Sequence, residues 1–305
     1  MVDRLLDRAC GAMLGLAIGD ALGATVEFMT PREIAAQHGT HDCIRGGGWL
    51  RLAPGDVTDD TTMTFALGNA WLCAGKAPSA EACATAFDDW MRAKPIDIGN
   101  TVRRGIVRWR LHGSAHGEPS QHAGNGATMR CLPVALATLG ADVEAVTDAA
   151  LTQARVTHHN PLTDAATVRV VQMVQRALCG HGVGGVLACA EALTAAQPAF
   201  AFRGRRIENP SGYIVDTLQA VLQAVERHEG FEAVLIDVVN RGGDADTTGA
   251  IAGMIMGAVV GEVALPARWR RAVRREVRTE CVRQACELIA LSPAWRAGAF
   301  AGALS

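Results

Sequence analysis

The amino-acid sequence predicts an all-α protein. Three observations carry that expectation. Apolar residues recur at helical spacing through most of the chain, as Leu5, Leu6, Ala9, Met13, Leu16 and Ala17 do near its start. No segment shows the sustained two-residue alternation of a half-buried strand. Aromatic residues are only 5% of 305, while glycine alone contributes 33. Small side chains favour closely packed helices over an aromatic-rich β-sandwich.

The helices follow in order. The N-terminal stripe runs on through Gly15, Gly19 and Gly23 and ends at Glu27. A second helix spans 61–74, behind an acidic cluster. Ser79, with Glu81 in its first turn, caps a third over 79–93. The turn through Asp97 leads into 100–111. Gly124-Asn125-Gly126-Ala127 opens 126–139, and 143–156 follows. Thr163, with Asp164 behind it, caps 163–178. Periodicity then predicts 186–195, 211–225 beginning near Tyr213, 231–239 and 247–260. Pro266 suits the first turn of a last helix over 266–290. Turn-like breaks fall at Gly46-Gly47-Gly48, Ala53-Pro54-Gly55, 112–124, 203–211 and Arg241-Gly242-Gly243. No linker of biased composition divides the chain, so 1–305 reads as one compact multi-helix domain.

Composition excludes several classes. With 49% hydrophobic and 20% charged residues the chain buries a core and is not disordered. A formal net charge of -2 provides no global field toward nucleic acid or anionic lipid. The arginine-rich run 268–278 reads as the solvated face of a terminal helix. Nine cysteines, without a Cys-x-x-Cys pair, read as reduced, buried thiols of a cytoplasmic protein. The apolar run 9–26 is interrupted by Asp20 and lacks a cleavage-site pattern, and 250–261 is too short to span a bilayer.

Two acidic segments, far apart in the chain, carry the chemistry. Thr58-Asp59-Asp60-Thr61-Thr62 and Asp244-Ala245-Asp246-Thr247-Thr248 each cluster carboxylates beside hydroxyls. Either one alone reads as helix capping, because Asp and Thr satisfy orphan N–H groups at a helix start. Crowded carboxylates cost repulsion that a cap does not require, and a cation offsets it. Brought together, the two segments supply oxygen donors for a pair of hard divalent cations, Mg²⁺ or Mn²⁺. Two rival motifs fail for the second segment. A phosphatase nucleophile would end a buried strand, where Arg241-Gly242-Gly243 stands instead. A calcium loop would place Ile255 at its closing carboxylate position.

Other residues divide between bland and functional readings. Glu27 is a surface cap partner or leans into a cleft. Asp97 caps a helix or serves a site. Gly124-Asn125-Gly126-Ala127 opens a helix whose N–H groups suit an anion, but it lacks a P-loop lysine. His158, in the turn Thr157-His158-His159-Asn160-Pro161, fits hydrogen bonding or stacking better than metal ligation. Tyr213, the one tyrosine, packs in the core or stacks on a purine. The tryptophans read as core.

Together these residues resemble the ADP-ribosylglycohydrolase family. The resemblance runs through residues 11–23, Thr58-Asp59-Asp60-Thr61, Gly124-Asn125-Gly126-Ala127 and Gly243-Asp244-Ala245-Asp246-Thr247-Thr248-Gly249-Ala250. Val26-Glu27-Phe28-Met29-Thr30, Gly46-Gly47-Gly48-Trp49-Leu50-Arg51-Leu52, Asp97-Ile98-Gly99-Asn100-Thr101 and Tyr213-Ile214-Val215-Asp216-Thr217 resemble the branch that reactivates the nitrogenase iron protein. The resemblance implies an all-α fold with a central binuclear Mn²⁺ or Mg²⁺ cleft. It implies Thr58, Asp59, Asp60, Asp244, Asp246 and Thr247 as ligands, with Asp60 also a water activator. Gly124, Asn125, Gly126 and Ala127 would hold a diphosphate, and Tyr213 the adenine. Asn100 and His158 would line the ribose and arginine side. Glu27 would sit near the metals at the cleft mouth. Asp97 would be a general acid or a guanidinium clamp. The implied reaction is hydrolysis of ADP-ribosyl-arginine on a protein. Alternatives are another ADP-ribosyl linkage, such as serine or a small metabolite, and a non-catalytic regulatory protein that senses ADP-ribose. The implied partners are the modified nitrogenase iron protein, a PII-type nitrogen-signalling protein and an ammonium transporter that recruits the protein reversibly to the membrane.

Overall fold

A computed structural model describes residues 2–298. Among them lie fifteen α-helices. These are α1 (Val2–Gly23), α2 (Pro31–His38), α3 (Asp59–Ala74), α4 (Ala80–Arg92) and α5 (Asn100–His112). Next come α6 (Leu132–Ala137), α7 (Val143–Ala154), α8 (Pro161–Leu178), α9 (Gly182–Ala196) and α10 (Ile214–Arg227). The last are α11 (Phe231–Val239), α12 (Ala245–Val260), α13 (Ala267–Ala272), α14 (Arg275–Leu291) and α15 (Pro293–Arg296). No strand forms among the described residues; Gly47–Leu52 and Gly124–Tyr213 make isolated bridges.

The centre is an antiparallel pair, α1 against α12. Gly11, Gly15, Gly19 and Gly23 face Gly257, Gly253, Gly249 and Ala245 in turn. A methyl group on Gly19 would lie 1.9 Å from the Gly249 carbonyl oxygen, so the backbones touch. Both helices are apolar nearly all round and buried along most of their length, as central helices must be. α14 and α8 cover α1, while α11, α8 and α10 cover α12. The antiparallel crossing brings the end of α1 beside the start of α12.

Two polar anchors fix the segments around that end. Asp20 is wholly buried on α1 and accepts from Thr58 N at 3.0 Å, Thr61 N at 3.1 Å and Thr61 Oγ1 at 2.5 Å. It therefore pins the first turn of α3 to α1. Buried Arg241, at the end of α11, donates to both carboxylate oxygens of Asp237 (3.2 and 2.8 Å) and to Gln223 Oε1 (2.8 Å). That holds the chain leading into α12. Burial disfavours the Asp237 carboxylate, but bonds from Arg241 and Arg206 outweigh it and take its pKa down to about 2. Asp237→Ala leaves Arg241 buried without its counter-ion and should cost about 3–5 kcal/mol in urea unfolding. The wild-type pair's contribution is complete above about pH 4 and is lost as pH falls toward 2.

Local structure departs from the sequence expectation at named places. The helix expected from 126 does not form there. Thr128 and Met129 N–H both turn back to the Asn125 carbonyl, and α6 begins only at Leu132. Thr163 is not a cap: Asn160 caps α8, with Pro161 in its first turn. The last helix is broken between α13 and α14, where Arg274 N bonds to Gly55 O and Gly55 packs on the Ala272 carbonyl. α2 was not anticipated, although Thr30 and Glu33 form a full capping box around Pro31. Cys73 and Cys179 are exposed, not buried; all nine thiols are free.

Candidate active site

Helix capping does not use the carboxylates of the first segment, and in the second Asp246 Oδ1 takes the Thr247 N–H at 2.9 Å. Thr58 caps α3 through a 3.4 Å bond from Asp60 N, and Asp20 takes the Thr58 and Thr61 N–H groups. Asp59 and Asp60 are thus spare. Asp244 stands at the N-cap position of α12, yet its side chain accepts no capping bond. Gly242 and Gly243, with φ of 70° and 66°, turn the chain into it.

The two segments meet. Thr58 Oγ1 and Thr247 Oγ1 each donate to Asp60 Oδ2 at 3.3 Å, the latter bond spanning 187 positions. The other oxygen, Asp60 Oδ1, is buried with no partner among the described residues. Glu27, Asp244 and Asp246 each offer a carboxylate oxygen within 4.8 Å of the others. That tightest trio takes Glu27 from the turn after α1, where the expected ligand set drew on Asp59 and Asp60.

Burial, and then mutual repulsion, pushes these carboxyls up. Asp60 and Asp246 lie well above the usual range, raised first by desolvation and next by Asp20 and Glu27 respectively. Burial and neighbouring Asp97 bring Asp59 to about 7. Burial brings Glu27 to about 8 against an opposing bond from Trp49. Asp20 reaches about 6, held down by its Thr61 and Thr58 donors. A dry cluster of oxygens, one of them unpartnered, fits a hard divalent cation.

A cleft of about 250 Å³ opens onto the cluster. It is lined by Glu27, Asp59, Asp97, Asn100, Gly124, Asn125, Gly126, His158, Asp244, Asp246 and Thr247, and also by Phe28 and Gly212. Larger hollows beside α14 and between α3 and α4 each hold a single carboxylate. Thr58 and Asp60 lie behind the lining and Ala127 is fully buried. Tyr213 is exposed at the start of α10, and its backbone bridges Gly124. It is therefore not a core residue.

The Gly124–Gly126 turn is held from behind. Asn125 Nδ2 donates to Thr217 Oγ1 at 2.9 Å and to Asp244 Oδ2 at 2.6 Å, so its amide hydrogens orient the second acidic segment. The anion-binding helix start read from the sequence is a turn instead. His158 lies across both glycines: a Cβ on Gly126 would meet its ring at 2.9 Å. Burial lowers His158 to about 3, so the ring is neutral. Its Nδ1 lies 2.8 Å from Thr157 Oγ1, which accepts from Arg130 Nη2 at 2.8 Å.

A model of the ADP-ribosylglycohydrolase family matches residues 1–298. The chain belongs to that family. It is 47% identical over 289 residues to the ADP-ribosyl-(dinitrogen reductase) glycohydrolase of Rhodospirillum rubrum, covering 94% of this chain and 97% of the relative. It is 34% identical over 285 residues to the ADP-ribosylarginine hydrolase Tri1 of Pseudomonas putida (strain GB-1), covering 88% of this chain and 74% of that one. A solved structure described as an ADP-ribosylglycohydrolase-related protein complex superposes with a TM-score of 0.84 at 33% identity, covering 95% of this chain and 99% of that chain.

Four supports of this family member's candidate site are not among the residues the sequence singles out. Asp20 carried a signal, a lone carboxylate inside an apolar helix. Trp49 was read as core, yet it is half-exposed and donates Nε1 to Glu27 Oε2 at 2.6 Å. Arg241 carried a weaker signal in its place before Gly242-Gly243. Arg130, fully buried without a carboxylate partner, carried none. It bonds Gly126 O, Gln153 and Thr157.

Proposed function

We propose that this chain hydrolyses the N-glycosidic bond joining ADP-ribose to arginine on a protein, and that its target is the ADP-ribosylated iron protein of nitrogenase. One observation carries the chemistry: two distant acidic segments and Glu27 join in a buried cluster that leaves Asp60 Oδ1 unpartnered. The Rhodospirillum rubrum relative, whose name gives that substrate, supports the target.

Two divalent cations, Mn²⁺ or Mg²⁺, would be held by Thr58, Asp59, Asp60, Asp244, Asp246 and Thr247, with Glu27 adjoining. When bound, they supply Lewis-acid polarisation of ribose hydroxyls and of a water molecule. Cleavage builds positive charge on the ribose, which the carboxylates lining the cleft stabilise. Asp60, fixed by two threonine hydroxyls, takes up the water's proton. The departing guanidine nitrogen needs a proton, and Asp97 serves that side as donor or clamp. Neutral His158, with Asn100, hydrogen-bonds the ribose side. The Gly124–Gly126 turn receives the diphosphate and Tyr213 the adenine. Residues 1–305 act as one unit in this reading. Among the described residues, no helix is long and apolar enough to cross a membrane. A cytoplasmic site of action, a PII-type nitrogen-signalling protein and an ammonium transporter that recruits the chain to the membrane complete the proposal.

The test is a linkage-resolved assay. Chelated protein is given arginine- or serine-linked ADP-ribosyl substrate, with and without Mn²⁺ or Mg²⁺. Release of ADP-ribose from the arginine-linked substrate on metal add-back is the expected result. Cleavage of the serine linkage alone, or binding without release, would overturn the proposal.

A further inference from the structure

Beside the carboxylates, the cleft rim carries an aromatic pair that the proposed chemistry does not use. Phe28 is 65% exposed and Trp49 is 51% exposed. Their ring centroids lie 5.4 Å apart with planes tilted by 49°. Phe28 is among the residues that line the cleft, and Trp49 lies against it. Exposing two large rings side by side forfeits burial that a folded chain ordinarily recovers.

The backbone is built to hold them there. Phe28 has φ of 63°, a left-handed conformation rare for a bulky side chain. Its N–H donates to Gly243 O at 2.7 Å, and Gly243 N–H returns a bond to Met29 O at 3.0 Å. Phe28 is thereby tied to the turn that presents Asp244. The loop bearing Trp49 docks through Gly48, where a Cβ would meet Ala24 O at 2.5 Å. Trp49 Nε1 then reaches Glu27.

Five carboxylates line the cleft with Phe28: Glu27, Asp59, Asp97, Asp244 and Asp246. No lysine or arginine is among the described residues lining it. With cations on the other carboxylates, Asp97 keeps its charge free for a ligand; a ring face attracts a planar cation, and guanidinium stacks on aromatic faces.

We infer that Phe28, backed by Trp49, seats the guanidinium of the substrate's arginine and so contributes to selection of the arginine linkage. The inference rests on the proposed hydrolysis of ADP-ribosyl-arginine. Phe28 is here a specificity-determining residue, and it takes no proton.

The experiment uses the full chain loaded with Mn²⁺ and free ADP-ribosyl-arginine, which has no polypeptide to add contacts. Phe28→Leu removes the ring and keeps the bulk. It is expected to raise KM about tenfold, in the range of a desolvated cation–π contact, with kcat within about twofold of wild type. Phe28→Tyr restores KM. The inhibition constant of ADP-ribose, which lacks the guanidine, stays at the wild-type value in both. An unchanged KM in Phe28→Leu overturns the inference. So does a parallel rise in the ADP-ribose inhibition constant, which would assign the ring to the nucleotide. If Phe28→Leu does not fold, Phe28→Met removes the ring with an unbranched side chain and puts the same two constants to the test. A wild-type chain that turns the substrate over while the variants match it sinks the guanidinium seat alone. A wild-type chain that releases no ADP-ribose sinks the proposed function and this inference together.

Discussion

Gly19→Ala is expected to cost at least about 3 kcal/mol and to lower Tm by about 6–12 °C. The added methyl would sit 1.9 Å from the Gly249 oxygen and 2.3 Å from its carbonyl carbon. Both are backbone atoms inside a buried helix, so no rotamer change relieves the overlap. α1 and α12 must separate. Separation also moves the turn bearing Glu27 away from Asp244 and Asp246, so the variant should lose much of its thermal response to added Mn²⁺. Gly184→Ala is the control. Beyond its own turn of α9, no described residue lies within 4 Å of its added methyl, and alanine is the better helix former. That variant should match wild type or gain up to about 1 kcal/mol. Equal melting of the Gly19 variant and wild type would show that the glycine contact does not set the α1–α12 distance.

That contact shows which parts of the fold the sequence displayed. Glycines every fourth residue stand in plain view in α1 and again in α12, yet a one-dimensional reading gives no reason to face one series with the other. The helical periods were legible because each buried stripe repeats locally. The acidic segments were legible for the same reason: crowded carboxylates are a local cost that demands a local remedy. Capping boxes are local too, and Thr30-Pro31-Arg32-Glu33 could have announced α2. What escaped was set by distant partners. The break before α14 depends on Gly55, more than two hundred positions earlier. The turn at Gly126 depends on Arg130 claiming its carbonyl and on Pro133 opening the next helix. Trp49 reads as core because large aromatics usually are, and its bond to Glu27, 22 positions away, leaves no local mark. Asp20 interrupted an apolar stripe, but its purpose became visible only with the α3 N–H groups above it.

Asp60→Asn is expected to move stability in opposite directions in metal-free and metal-loaded protein. In the metal-free fold Asp60 is buried among Asp20, Asp59, Asp244 and Glu27, and each neighbour opposes its charge. Asparagine keeps the shape and removes the charge. The metal-free variant should therefore melt above wild type at pH 8. Cations at about one hundred times their dissociation constant stabilise wild type by about 2.7 kcal/mol, and the variant should lose most of that gain together with detectable turnover. Asp246→Ala should likewise abolish turnover without unfolding the helices. The pH dependence has a definite sign. The unfolded carboxyls titrate near pH 4, while Asp20, Asp59 and Glu27 titrate in the fold at about 6, 7 and 8. Below pH 4 both states are protonated and nothing is lost. Between pH 4 and 8 the folded state retains protons that the unfolded state has released, so metal-free stability falls as pH rises. Cation binding needs the deprotonated oxygens, so the gap between metal-loaded and metal-free melting should widen across the same interval. Differential scanning fluorimetry from pH 5 to 8, with and without Mn²⁺, reads both trends. A metal-free wild type that grows more stable over this range, or an Asp60→Asn protein that keeps the full Mn²⁺ shift, would mean that the buried oxygens are not gathered for a cation.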